Sequence, residues 1–431
     1  MNRTDVQAFI RFGLGRKGFE PLPTDPVEWL GWQLVSPDDA QPARLPNTAE
    51  ALAVFREYKR QHELDNSVRP EAIRAVFHAD AAAELGNALD SPAPFRERLV
   101  WFWSNHFAVS RRRPVVTAVA GAFVREAIRP HVTGRFSEML LAVIHHPAML
   151  LYLDNAASVG PNSQAGLRRN RGLNENLARE CLELHTVGAR AGYSQTDVIE
   201  FAKILTGWSV DLQSDPGFKF RARAHEPGTK VLMGREFPSG ERGGLEALGF
   251  LASHPATHRH LATKLAAHFV ADDPPEDVIR RIEGVLRDTG GDLRAAALEL
   301  ISMDQTWQPL TKLRSPQEYV IACLRALGCP PASRGNLVPV LAALGQPLWQ
   351  PPLPNGWPDR AAEWASSENL MRRFDWAYQL AGKAGDLDPL EVAESNLGLL
   401  LRPATRGAMQ HAGSRRDSLT LLLASPEFLR R

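Results

Sequence analysis

Cysteine is nearly missing from this chain: Cys181, Cys323 and Cys329 are the full complement. The count is odd and no pair has metal-type spacing, so a disulfide framework is excluded and a reducing compartment fits. No apolar run is long enough to cross a bilayer, which argues against a membrane protein. The stretch "MNRTDVQAFIRFGLGRKGFEPLP" has no apolar core before a small-residue cleavage site, and a soluble, cytoplasmic protein is expected. Charge of one sign is not in excess either. The net charge of +1 gives no reason to expect nucleic acid or an acidic partner. Two short basic clusters, "SRRRP" at Ser110–Pro114 and "LRRNRG" at Leu167–Gly172, lack interleaved aromatics for base stacking. Arginine far outnumbers lysine, which reads as a coding bias, since either residue serves a solvated surface. Repeats, low-complexity tracts and clear linkers are all missing, and strand patterns are scarce.

Helical periodicity fills most of the chain. "AEALAVFREYKRQHELD", "RPEAIRAVFHADAAAELGNAL" and "PEDVIRRIEGVLRDTGGDLRAAALELISM" place apolar residues three and four apart. "PAPFRERLVWFWSNHFAVS" is a strongly apolar helix. In "FKFRARAHEPGTKVLMGREF", weak alternation at Phe218–Arg223 and Lys230–Met233 flanks a Pro-Gly turn. It predicts a small β-hairpin near residues 218–237. "GQPLWQPPLPNGWPDR", from Gly345 to Arg360, is proline-rich but holds two tryptophans, so it is expected to pack as an ordered loop. These patterns predict a mainly α fold, with residues 1–431 forming one large helical domain.

The stretch "GLNENLARECLELHTVGARAGYSQTDVIEFAKILTGWSV" predicts two helices joined by a glycine-rich turn. Asn174 is placed to cap the first and Gly188 to stop it. At about 100° per residue, Leu173, Leu177, Cys181 and Leu184 share one side. Glu175, Asn176, Arg179, Glu180 and Glu183 share the other, with Glu175 and Arg179 at ion-pair spacing. His185 falls in the apolar arc and reads as a hydrogen-bonded core residue. The second helix is apolar around most of its circumference, so it should be nearly enclosed. Its partner should then lie deep, with Glu180 and Glu183 facing an internal cleft. The alternative for that polar side is an ordinary solvated face.

"NENLARECLELHTVG", then "GYSQTDVIEFAKILTGW" and "HEPGTKVLMG", closely resemble the bacterial family called domain of unknown function 1800. The resemblance runs along nearly the whole chain and includes "RFGLG", "FWSNHF", "HPAMLLYLDN" and "SPEFLRR". It implies a mainly helical fold and places the family's polar signature on Asn174, Glu175, Asn176, Arg179, Glu180 and Glu183. A second part falls on His225, Glu226 and Lys230, where Glu226 replaces the usual Asp. His106, Asp154 and Asn155 lie in matching segments. The resemblance also implies a protein partner from the family called domain of unknown function 1501. Export in complex with such a signal-bearing partner is the alternative to cytoplasmic residence, and would place the protein in the periplasm.

The expected function is an enzyme with a carboxylate/His/Lys/Arg pocket between the 174–185 helix and the 225–230 turn, acting on a small polar substrate. In a metal-dependent version, His106 and His225 supply nitrogen and Glu180 and Glu183 supply oxygen, a set suited to Zn²⁺, Mn²⁺ or Fe²⁺. The metal would support hydrolysis or oxidation, with Lys230 or Arg179 stabilising developing negative charge. In a metal-free version, Glu175, Arg179, Glu180, Glu183 and Lys230 form a general acid/base site in which one Glu is raised by its neighbour. The alternative outside catalysis is a scaffold or partner for a protein encoded nearby, with the signature serving as a buried ion network.

Overall fold

The computed structural model describes residues 3–38, 44–169, 172–330 and 334–431. Local chemistry sets many helix starts. Asn47, Ser194 and Ser315 each accept a hydrogen bond from the backbone three residues on, while Glu50, Asp197 and Glu318 reach back to the capping residue. Helices make up 61% of the structure, and among the described residues the strands form two small antiparallel sheets, so the fold is mainly α. Among the described residues no helix is long and apolar enough to cross a membrane.

The β structure differs in pairing from the expected single hairpin. Gly217–Phe220 pairs backward with Trp208–Asp211, and Lys230–Leu232 pairs forward with Arg235–Phe237. The reason lies in the turns. Met233 and Gly234 both have positive φ, 48° and 77°. That two-residue geometry matches the twist of adjacent strands and closes the second hairpin locally. In the first, Asp211 accepts from the backbone of Gln213 and Ser214 and pairs with Lys219 at 2.7 Å. The Pro227-Gly228 corner joins the two hairpins instead of closing one.

Two apolar clusters form the core. One gathers Trp103, Phe123, Phe136, Phe201 and Trp208; the other gathers Phe77, Leu85, Tyr319, Ala377 and Leu419. They share elements. The Glu71–Asp90 helix gives Ile73 to the first and Phe77 and Leu85 to the second, and Phe12 and Leu14 divide likewise. Buried arginines join the clusters. Arg11 donates to Val270 O at 3.0 Å, and Arg325 donates to Gly15 O at 2.7 Å and Leu89 O at 2.9 Å. Guanidinium has five donors and suits the carbonyls left open at helix ends. Part of the arginine excess is therefore structural, since lysine could not make these forked contacts.

The Gly345–Arg360 loop is ordered, as its tryptophans predict. Asn105 pins it, donating to Trp357 O at 2.9 Å and accepting from Trp357 N at 2.7 Å. Gly356 lies so close that a Cβ there would sit 2.4 Å from Asn105 O, so only glycine fits.

Candidate functional site

The first signature segment folds as a short α-helix, Asn176–Glu180, that widens into a π turn over Cys181–His185. Such turns recur at functional sites because they re-aim side chains along an otherwise regular helix. Asn174 Oδ1 accepts from Asn176 N at 2.9 Å, and Gly188, at φ +81°, ends the segment by donating to Leu182 O at 2.9 Å. Leu177, Ala178, Cys181, Leu182 and His185 are buried. The following Gln195–Leu205 helix buries Val198, Phe201, Ala202, Ile204 and Leu205 and is nearly enclosed, as expected.

Glu175, Arg179, Glu180 and Glu183 are half-buried, while Asn176 is exposed. The polar side is thus neither open surface nor sealed interior. Glu175 and Arg179 pair at 2.9 Å, and Gln195 bonds to both, at 2.8 and 3.1 Å. This triad ties the two helices together at their rim. Among the described residues no cation lies within ion-pair distance of Glu180 or Glu183. Burial, and then the charge of Glu183, hold the Glu180 carboxyl above its ordinary range. Tyr152 and Tyr193 border the same pair. Burial raises both phenols, helped by Glu180 at Tyr152 and by Glu183 at Tyr193. Sequence reasoning did not single out these tyrosines, although both stand in segments that carry the family resemblance, "HPAMLLYLDN" and "GYSQ". Asp154, from the first of these, is exposed and pairs with Arg113 at 2.7 Å.

His225, Glu226 and Lys230 are buried in a different arrangement. His225 Nδ1 lies 2.8 Å from Thr206 O, and its Nε2 accepts from Gly240 N at 2.8 Å with Lys230 Nζ at 3.2 Å. Glu226 accepts from Asn162 N at 2.9 Å and Asn162 Nδ2 at 2.6 Å, while its own N–H donates to Thr206 Oγ1. Lys230 also donates to Glu226 O. Burial lowers both His225 and Lys230. These bonds occupy both ring nitrogens and knot the turn to the end of the Gln195–Leu205 helix. Among the described residues no hydrogen bond or ion pair joins this knot to Glu175, Arg179, Glu180 or Glu183. The Gln195–Leu205 helix packs against both segments. The two signatures therefore do not form one bonded cluster.

His106 is buried, and its Nε2 lies 3.1 Å from His185 O. Burial first, then the charge of Lys264, lowers it well below the usual imidazole range. His185 is buried beside it and lowered to about 3, chiefly by burial, which fits the core position expected of it, but its Nδ1 has no hydrogen-bond partner among the described residues. Among the described residues no group of three or more His, Cys, Asp or Glu side chains is arranged to hold a metal ion. Among the proposed ligands, Glu180 and Glu183 lie near each other, but His225 uses both ring nitrogens in its own knot and His106 gives its Nε2 to His185 O, leaving only its buried Nδ1 without a partner. These four residues do not fit a shared metal, since they do not converge on one position.

The fold and site define a mainly helical protein with a half-buried acidic face on a π turn. Residues 7–430 match a family described as a protein of unknown function, DUF1800, and the chain belongs to that family. No curated protein and no solved structure matches it.

Proposed function

We propose that the protein is an enzyme performing metal-free general acid–base chemistry, most simply hydrolysis, on a small polar substrate at the Glu180–Glu183 face. One observation supports this reading: two half-buried carboxylates are close enough for Glu183 to raise Glu180, and among the described residues neither is in an ion pair, Arg179 opposing the rise without pairing with either. Such a pair holds a proton to higher pH than an isolated carboxyl does. Glu180 is then the proton donor and Glu183 the acceptor that draws a proton from water. Tyr152 and Tyr193 supply phenolic hydroxyls to orient polar groups. The Glu175–Arg179–Gln195 triad positions the helix and touches no substrate. His225 and Lys230 act in folding, not in chemistry.

The test is a screen of the purified protein on chromogenic ester, amide, phosphoester and glycoside substrates, repeated with Glu180→Gln and Glu183→Gln. Activity should fall by about 10²-fold or more in each variant, with melting temperature kept. Activity that survives both substitutions would place the chemistry elsewhere. The knot at His225–Lys230 favours a second reading, a scaffold for a domain of unknown function 1501 partner, because there a family signature serves structure. Co-purification with such a partner, unaffected by Glu180→Gln and without turnover in the screen, would favour that reading.

A further inference from the structure

A second concavity lies away from the acidic face, between the Pro94–His106 helix and the loop at residues 345–360. It encloses about 820 Å³, counting its open mouth. Trp101, Trp349 and Trp357 line it, and each is half-buried. Trp101 and Trp349 also pack on the core and Trp357 on Trp364, so the three partly exposed indoles give the cleft fixed, flat apolar walls. Trp349 adds to this. Its φ is +50°, a conformation that bulky residues rarely adopt. Arg111 holds it there, donating to Trp349 O and Leu348 O, both at 2.9 Å, while stacking on Phe77. Backbone strain of this kind is characteristic of ligand clamps.

The polar groups in the cleft divide into two sets. Its charges are already matched. Glu318 pairs with Arg98 at 2.6 Å and Arg431 at 2.9 Å, and Asp359 pairs with Arg431 at 3.0 Å and accepts from Nδ1 of His268, which burial lowers to about 4 and keeps neutral, at 3.1 Å. A charged ligand would have to compete with these internal partners. The uncommitted groups are neutral. Ser104 Oγ and His268 Nε2 are buried without a partner. The Gln317 side chain makes no hydrogen bond among the described residues, and Gln346 uses only its oxygen, accepting from Gln317 N at 2.8 Å. Glu84 accepts from Trp101 Nε1 at 3.0 Å through one oxygen, and its other lies 3.8 Å from Arg129.

We propose that this cleft binds a small neutral carbohydrate, one ring seated at its mouth. The C–H faces of a sugar cover indole, and its hydroxyls both donate and accept, as this mixture of amides, hydroxyl and imidazole requires. Burial pushes Glu84 up to about 7, against Arg129, which fits a wall with little charge to spare for a ligand. The inference stands apart from the acid–base reading: it concerns another part of the fold and is read by binding, so either can fail alone.

The experiment is isothermal titration calorimetry together with tryptophan fluorescence. The probes are glucose, cellobiose, maltose and N-acetylglucosamine, with glucuronate and glucosamine as charged counterparts. At least one neutral sugar should bind at millimolar concentration and change the fluorescence, more tightly than the charged counterparts. Trp349→Ala, folded by circular dichroism, should weaken that binding by at least about tenfold. If that variant does not fold, Gln317→Ala decides by the same criterion. The proposal is overturned if no neutral sugar binds, if a charged counterpart binds more tightly, or if the deciding variant binds like the parent protein.

Discussion

Glu84 shows how one side chain couples burial to pH. Burial raises its carboxyl from 4.5 to about 7, with Glu97 adding to the rise and Arg129 opposing it. Between those values the folded chain holds a proton that the unfolded chain has released, so stability falls as pH rises through the folded value. Glu84→Gln removes the titration. The variant should match the parent protein near pH 4.5 and exceed it above pH 7, the gap from 4.5 to about 7 being worth at most about 3 kcal/mol. Urea denaturation at both pH values checks this, and equal stabilities at pH 8.5 would contradict it. His225 is a contrasting case. Its two nitrogens serve Thr206 O and Gly240 N, so His225→Ala leaves buried groups unpaired and should cost about 2–4 kcal/mol. Thermal melting reads that loss. From sequence, His185 was legible as a core residue because it fell within an apolar arc. His225 was not, because no local pattern reveals that a distant carbonyl and amide will occupy its ring.

At the scale of elements, helix caps were written plainly. Gly188 stops its segment where its chemistry placed it, Asn174 stands one residue before the capping position at Glu175 while accepting from Asn176 N, and the Gln195–Leu205 helix is enclosed as its apolar circumference required. Gly188 carries a sharp prediction. At φ +81° it stands where a Cβ would lie 2.9 Å from His260 Nδ1. Gly188→Ala should therefore cost about 1–3 kcal/mol. A melting temperature equal to the parent's would show that the segment can end another way. The π turn at Cys181–His185 and the split into two hairpins were not legible. Both depend on small backbone choices, an extra residue in one turn and positive φ at Met233, that hydrophobic periodicity does not encode.

Across the whole molecule, charges buried between distant segments fasten the fold. Glu318 caps its own helix and also pairs with Arg98 and Arg431, more than a hundred residues away in either direction. Burial alone would raise its carboxyl, but Arg431 and Arg98 overcome that and bring it down to about 2. This contribution is present above the ordinary carboxyl range and is lost as pH falls through about 2. Glu318→Gln should destabilise the protein at neutral pH by about 3–5 kcal/mol, since it removes the carboxylate paired with buried Arg98 and one of the two paired with Arg431. Denaturant unfolding at pH 7 measures it, and a loss below about 1 kcal/mol would mean the arginines find other partners.

The sequence by itself determined the helical class, the family, and the polar side that carries Glu180 and Glu183. These follow from periodicity, capping and composition, which act over a few residues. Only the tertiary structure decided that His225 and Lys230 close a knot of their own, that His106 is a core residue, and that three tryptophans wall one cleft. Those outcomes depend on which buried donors and acceptors meet across long stretches of chain, and desolvation makes every such group take the partner that packing brings to it.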